Sequence, residues 1–172
     1  MSNGAILVVG TSRSDGNTWG VLAGANQSTN FPTVDLAKLN ISYFDYNARN
    51  LDDDFIPTIR KILSYGAIGL VSPVYWYTVS AQMKTFLDRF SDLLGPHKEL
   101  GRQLRGKRLF LLATGNTEES MPISMDETIR LTAKYLGMDY VGSHYIRVVE
   151  DSVFDPESIS RARDFLKSQI RI

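Results

Sequence analysis

At 172 residues and 19.3 kDa the chain can bury one full hydrophobic core, so a single domain over residues 1–172 is expected. Its 19 acidic and 19 basic residues cancel, which removes the electrostatic signature of a nucleic-acid or anionic-membrane binder. The lack of cysteine excludes disulfides, thiolate nucleophiles and thiolate-held metals or iron–sulfur clusters.

The first apolar run, residues 5–9, reads as a strand. It follows the initiator without a basic n-region or a long apolar stretch, which speaks against a signal peptide or membrane span. A cytoplasmic protein is expected. The loop Gly10 to Thr18 is built of small and hydrogen-bonding residues, and a short helix over residues 18–25 follows it. Residues 33–36 form a second short strand, and residues 38–51, without a clear period, a long connection. Asp52, Asp53 and Asp54 precede Phe55, Ile56, Ile59, Ile62 and Leu63. Aspartates at a helix start accept orphan N–H groups and suit the positive dipole end. This helix is expected to stop at Gly66.

Residues 67–71 suit a strand buried on both faces, ended by Ser72-Pro73. After the aromatic cluster Tyr75-Trp76-Tyr77, Ser80 can cap a helix carrying Met83, Phe86, Leu87, Phe90 and Leu94, with Lys84, Asp88 and Arg89 on the other side, where Lys84 and Arg89 read as a solvated face and as partners for Asp88 and Asp92. Residues 95–108 read as a basic, glycine-punctuated loop and 109–113 as a fourth strand. Pro122 and the Ser124…Glu127 spacing announce a helix ending at Leu136-Gly137. Residues 140–149 form a fifth strand at an edge. Asp155-Pro156-Glu157 starts a final helix whose apolar face is Ile159, Ala162, Phe165, Leu166 and Ile170.

Five strands alternating with five helices give a three-layer α/β domain with a parallel sheet and right-handed crossovers. With the third strand central, the expected order is 2-1-3-4-5. The carboxyl ends of strands one, three and four then meet at one crevice, the usual ligand position in an open parallel sheet. Three loops converge there: 11–18, 73–78 and 114–120. The first offers backbone N–H groups, hydroxyls, an amide and a guanidinium at a helix start, the chemistry of a phosphate site, although turns are made of the same residues. It lacks the Gly-Lys-Ser/Thr ending of a Walker loop and the Gly-x-Gly-x-x-Gly of a dinucleotide fingerprint. Nor do carboxylates end the first and third strands, as a phosphoacceptor receiver domain requires. The second loop supplies flat apolar surface with free backbone polar groups, suited to a planar heteroaromatic ring or to a subunit interface. Phosphate plus flat ring describes a flavin mononucleotide (FMN).

GTSRSDGNT resembles the phosphate loop of the flavodoxin-like NAD(P)H-dependent FMN reductase and quinone reductase superfamily. SPVYW followed by SAQMKTFLDR resembles its second motif, and ATGN its third flavin loop. The resemblance implies that Ser12, Arg13, Ser14, Asn17 and Thr18 hold the phosphate. Pro73, Val74, Tyr75 and Trp76 would lie along the isoalloxazine ring, with Thr114, Gly115 and Asn116 near its other edge. It also implies a homodimer or homotetramer with the flavin near the interface. Two departures are visible: the segment NARNLDDDF has no cysteine for the iron–sulfur cluster that some members carry, and the third loop continues Asn-Thr-Glu-Glu instead of glycine-rich.

The expectation is therefore an FMN-dependent oxidoreductase that takes hydride from NAD(P)H and passes electrons to a small acceptor such as a quinone or free flavin. A flavodoxin-type single-electron carrier is the alternative, and a domain that has lost the flavin and serves as a binding module a third possibility. The flavin carries the chemistry, so no catalytic side chain is required. Helix capping accounts for the three aspartates without a metal, and His97 and His144 have no partner at ligand spacing. The basic loop 97–108 fits the extra phosphate of NADPH or an ordinary surface loop.

Overall fold

A computed structural model describes residues 2–50, 52–116, 120–148 and 155–170. In chain order the elements are β1 (Ser2–Val9), α1 (Asn17–Ala25), β2 (Thr33–Asp35), a 3-10 turn (Leu36–Lys38), α2 (Phe55–Ile62), β3 (Tyr65–Pro73) and α3 (Ala81–Asp88). A second 3-10 turn (Arg89–Leu93), α4 (Lys98–Arg102), β4 (Arg108–Gly115), α5 (Ile123–Leu136), β5 (Asp139–Arg147) and α6 (Pro156–Ser168) complete it. The sheet is parallel throughout, in the expected order β2-β1-β3-β4-β5. In register, Val9 sits beside Val71 and Pro73 beside Thr114, so the strands that carry the three loops end at one level.

Successive strand residues point to opposite faces, and here both faces are apolar because helices cover both. Ile6, Val8, Ile68, Leu70, Leu109 and Leu111 face α2, α3 and α5, where Ile59, Phe86 and Ile129 are fully buried. Leu7, Val9, Val71, Phe110 and Leu112 face α1 and α6, against Val21, Ala162 and Leu166. Burying a side chain such as Met83 or Phe86 contributes about 1.5–3 kcal/mol, and both are fully buried.

Several expectations are corrected. The 95–108 segment is not all loop, since residues 98–102 form the short α4 and bury Leu100. The helix after the aspartates ends at Ile62, with Leu63 as its cap, and Gly66 lies inside β3. Ser124 caps nothing: its hydroxyl donates to the Tyr77 carbonyl (2.6 Å), and Pro122 stands at the start of α5. Ile170 is exposed rather than part of the apolar face of α6. Val149, placed at the end of the fifth strand, lies outside the described residues.

The largest correction concerns Arg89, which pairs with Asp92 as expected but is fully buried instead of solvated. Its guanidinium pairs with Asp53 and Asp92 (Nε to Asp92 Oδ2, 2.6 Å), donates to the Ser42 carbonyl (3.0 Å) and lies 4.7 Å from the centre of the Phe55 ring. The aspartates are therefore more than helix starters. Asp53 accepts the N–H of Phe55 (2.9 Å) and of Ser42 (2.9 Å), and Asp54 accepts that of Asn40 (2.7 Å). Burial alone would raise the Asp53 pKa, but the hydrogen bonds from Arg89, Phe55 and Ser42 outweigh it and hold the carboxyl below its ordinary range. Beyond Lys38 the long connection has no helix or strand among its described residues, and this knot fastens it.

Candidate active site

Beneath the crevice, hydroxyls tie the loops together. Ser80 Oγ donates to the Gly10 carbonyl (2.7 Å) and accepts the Met83 N–H (3.1 Å), so one residue caps α3 and fixes the end of β1. The Ser80 N–H in turn donates to Ser72 Oγ (3.0 Å) at the end of β3. Both serines are fully buried. Gly10 permits the arrangement, because a Cβ there would lie 2.6 Å from that of Met83. A second tie joins Thr18 and Thr114, whose hydroxyls are 2.7 Å apart and buried, linking the start of α1 to the end of β4.

Above this framework opens a cleft of about 400 Å³. The 11–18 loop lines one side with Thr11, Ser12, Arg13, Gly16, Asn17 and Thr18. Thr11 Oγ1 donates to the Arg13 carbonyl (2.8 Å), which curls the loop. The backbone N–H groups of Ser12, Arg13, Ser14 and Thr18 have no backbone acceptor among the described residues. Donors at a helix start that the protein leaves unpaired form an anion nest. Arg13 stands over it with its side chain 66% exposed and only a loose contact to Asp15 (3.7 Å). No carboxylate lines the cleft among the described residues, so its field favours an anion.

Pro73, Val74 and Tyr75 form the second wall and Thr114, Gly115 and Asn116 the third. A Cβ on Gly115 would come within 2.9 Å of the Tyr145 hydroxyl and 3.3 Å of Val74, so glycine keeps this wall thin. The Tyr75 hydroxyl lies 3.3 Å from Ser12 Oγ, joining the first two walls. These residues fit FMN: unpaired donors for a phosphate, then a flat apolar wall with backbone groups for a ring.

Two residues expected at the cofactor are not on the cleft wall. Ser14 donates its hydroxyl to Asp35 (2.6 Å) at the end of β2. Trp76 lines a neighbouring recess with Val74, Tyr75, Tyr77 and Asn116. Conversely Val148, just past β5, lines the cleft, held by its N–H to the Gly115 carbonyl (2.8 Å). Sequence reading let only three strands reach the crevice; a valine closing the strand beside β4 was the available sign of a fourth.

Residues 75–78 form a tight reversal, with Tyr75 N–H to Thr78 carbonyl at 2.9 Å and the return bond at 3.1 Å. Its central residues, Trp76 and Tyr77, both have positive φ (48° and 66°). Such turns select glycine and asparagine, and a side chain with a Cβ costs roughly 1–2 kcal/mol there.

The sequence model of the family described as NADPH-dependent FMN reductase matches residues 5–151. YwqN of Bacillus subtilis (strain 168), whose name describes an NAD(P)H-dependent FMN-containing oxidoreductase, is 23% identical over 145 residues, covering 79% of this chain and 80% of that one. The Trp repressor binding protein of Bacillus subtilis superposes with a TM-score of 0.76 at 21% identity, covering 95% of this chain and 97% of that one. A WrbA-like flavodoxin from Agrobacterium tumefaciens gives 0.70 at 12% identity, covering 98% and 96%. The latter two likenesses establish the flavodoxin-like fold. With a family match over most of its length, the chain belongs to the NADPH-dependent FMN reductase family and is an FMN-dependent NAD(P)H oxidoreductase.

Proposed function

We propose that the cleft holds FMN with its phosphate on the 11–18 loop and its ring against Pro73, Val74 and Tyr75, Gly115 and Asn116 lying toward the ring's other edge. The observation that carries this reading is the set of unpaired N–H groups beside a loosely held Arg13, opening into a cleft with no carboxylate among its described lining residues. Bound flavin supplies hydride acceptance and donation. The protein's part is to bind and orient it and to leave one face accessible. Thr18 and Thr114 act from below, fixing the phosphate loop against β4 through their hydroxyl pair. No acid or base role falls to a side chain.

The electron acceptor we assign is a small molecule of the quinone or free-flavin class, with NADPH or NADH as donor. The open face favours hydride transfer over single-electron carriage. The described part of the third loop has no aromatic, and Tyr43 of the long connection lines a separate recess beside Ser12. That connection is also held back by the Arg89 knot.

We further assign a homodimer in the cytoplasm. Leu94, Leu131 and Tyr135 are exposed around an apolar groove of about 340 Å³ between the turn after α3 and the far end of α5. Among the described residues no helix is long and apolar enough to cross a membrane. Sedimentation should give a dimer, and Leu131→Glu a monomer.

The cofactor assignment is tested by calorimetry on apoprotein. FMN should saturate at one per chain, and riboflavin, which lacks the phosphate, should bind on the order of 10²-fold more weakly. Equal affinities would remove the phosphate from the 11–18 loop.

A further inference from the structure

Trp76 is placed at a cost that the fold does not return. It sits with positive φ in a turn that prefers glycine or asparagine, yet its side chain is 92% exposed and packs into no core. Strain of this kind persists only where the surroundings over-determine it, and here they do. Both bonds across the Tyr75–Thr78 reversal and the bond from Ser124 to the Tyr77 carbonyl hold the conformation. Among the described residues nothing in the packing calls for an indole at this point.

The turn's surroundings supply a reason. Val74, Tyr75 and Asn116 border both the cleft and a second recess of about 410 Å³, and Trp76 and Tyr77 complete only the second. This recess is flanked by aromatic rings and carries one amide, that of Asn116, as a hydrogen-bond donor for a carbonyl edge. We propose that Trp76 is a specificity-determining residue: its strained turn holds the indole out as a stacking platform for a flat aromatic carbonyl acceptor beside the flavin. The assignment rests on the reading of the cleft as the FMN site. It gives Trp76 to the second substrate and not to the cofactor. A ring that binds by stacking needs a rigid partner face, which a strained, doubly bonded turn provides better than a mobile loop.

Two substitutions separate the contributions. Trp76→Asn tolerates the left-handed backbone and removes the ring; Trp76→Phe keeps a flat ring. The readout is menadione binding to oxidised, FMN-loaded protein by saturation-transfer NMR, without turnover. Trp76→Asn should weaken it by about fivefold to tenfold, with Trp76→Phe recovering most of the loss. FMN affinity should stay within about twofold of the parent, because stacking contributions of this size would otherwise show in it. Relief of strain should raise the Tm of Trp76→Asn by roughly 2–4 °C. Unchanged menadione binding, a fall in Tm, or a parallel loss of FMN affinity would overturn the assignment. So would conversion of a dimer to a monomer by Trp76→Asn, which would give the ring to a second copy of the chain. If the parent takes up no FMN, the cleft reading and this inference fall together. If it takes up FMN and both variants bind menadione like the parent, only the role of Trp76 falls.

Discussion

Arg13 and Arg89 each have aspartate and serine close by in sequence, and the molecule treats them in opposite ways. The Arg89 guanidinium is fully engaged: two carboxylates, two carbonyls and an aromatic face surround a side chain with no exposure. Around Arg13 the N–H groups of Ser12, Arg13, Ser14 and Thr18 find no backbone acceptor among the described residues, and the guanidinium keeps only a loose contact at 3.7 Å. Donors that saturate one another make structure. Donors left open on rigid supports make a binding site, because their cost has been met before the ligand arrives.

Substitution of either arginine separates the two regions, and the larger effect belongs to Arg89. Arg89→Ala leaves Asp53 and Asp92 buried without a counter-charge, which should lower stability by about 3–5 kcal/mol, read as a drop in the urea midpoint of the apoprotein. A loss below roughly 1 kcal/mol, the range of an exposed pair, would mean the knot is solvated. Arg13→Ala should do the reverse. Its stability should stay within about 0.5 kcal/mol of the parent, as for ordinary surface changes. FMN affinity should fall by about 1.5–3 kcal/mol, the contribution of a charge-assisted contact to phosphate. Calorimetry and urea titration on the same variant measure both.

The smallest effect is in pH. Asp53 is held below its ordinary pKa, so its charge stabilises the fold above the unfolded carboxylate range, and that contribution is lost as pH falls through the folded value. The stability gap between the parent and Asp53→Asn should therefore shrink on acidification below about pH 4. A gap that holds constant would show that Asp53 acts through shape and not charge.

What could be read from the sequence follows the same division. The strands were legible because both faces of the sheet are buried, which makes residues 67–71 and 109–113 continuous apolar runs. The phosphate loop was legible because its donors are local in sequence. Arg89 was legible only in its pair with Asp92, three residues on; its burial was not, since Asp53 and Ser42 are 36 and 47 residues away and helical spacing alone put it on the polar side. The role of Ser124 was missed for a similar reason: capping is a local pattern, and its true acceptor, the Tyr77 carbonyl, lies 47 residues earlier. The positive φ of Trp76 and Tyr77 left no mark at all, because residue types that avoid that conformation give no sign of adopting it.

If the cleft holds FMN as proposed, one face of the ring is presented to a hydride donor. Anaerobic mixing of the FMN-loaded protein with NADPH, and separately with NADH, tests it most directly. At least one of the two should bleach the visible flavin absorption, and menadione should then restore it. Stable FMN binding with no bleaching by either nucleotide would contradict it.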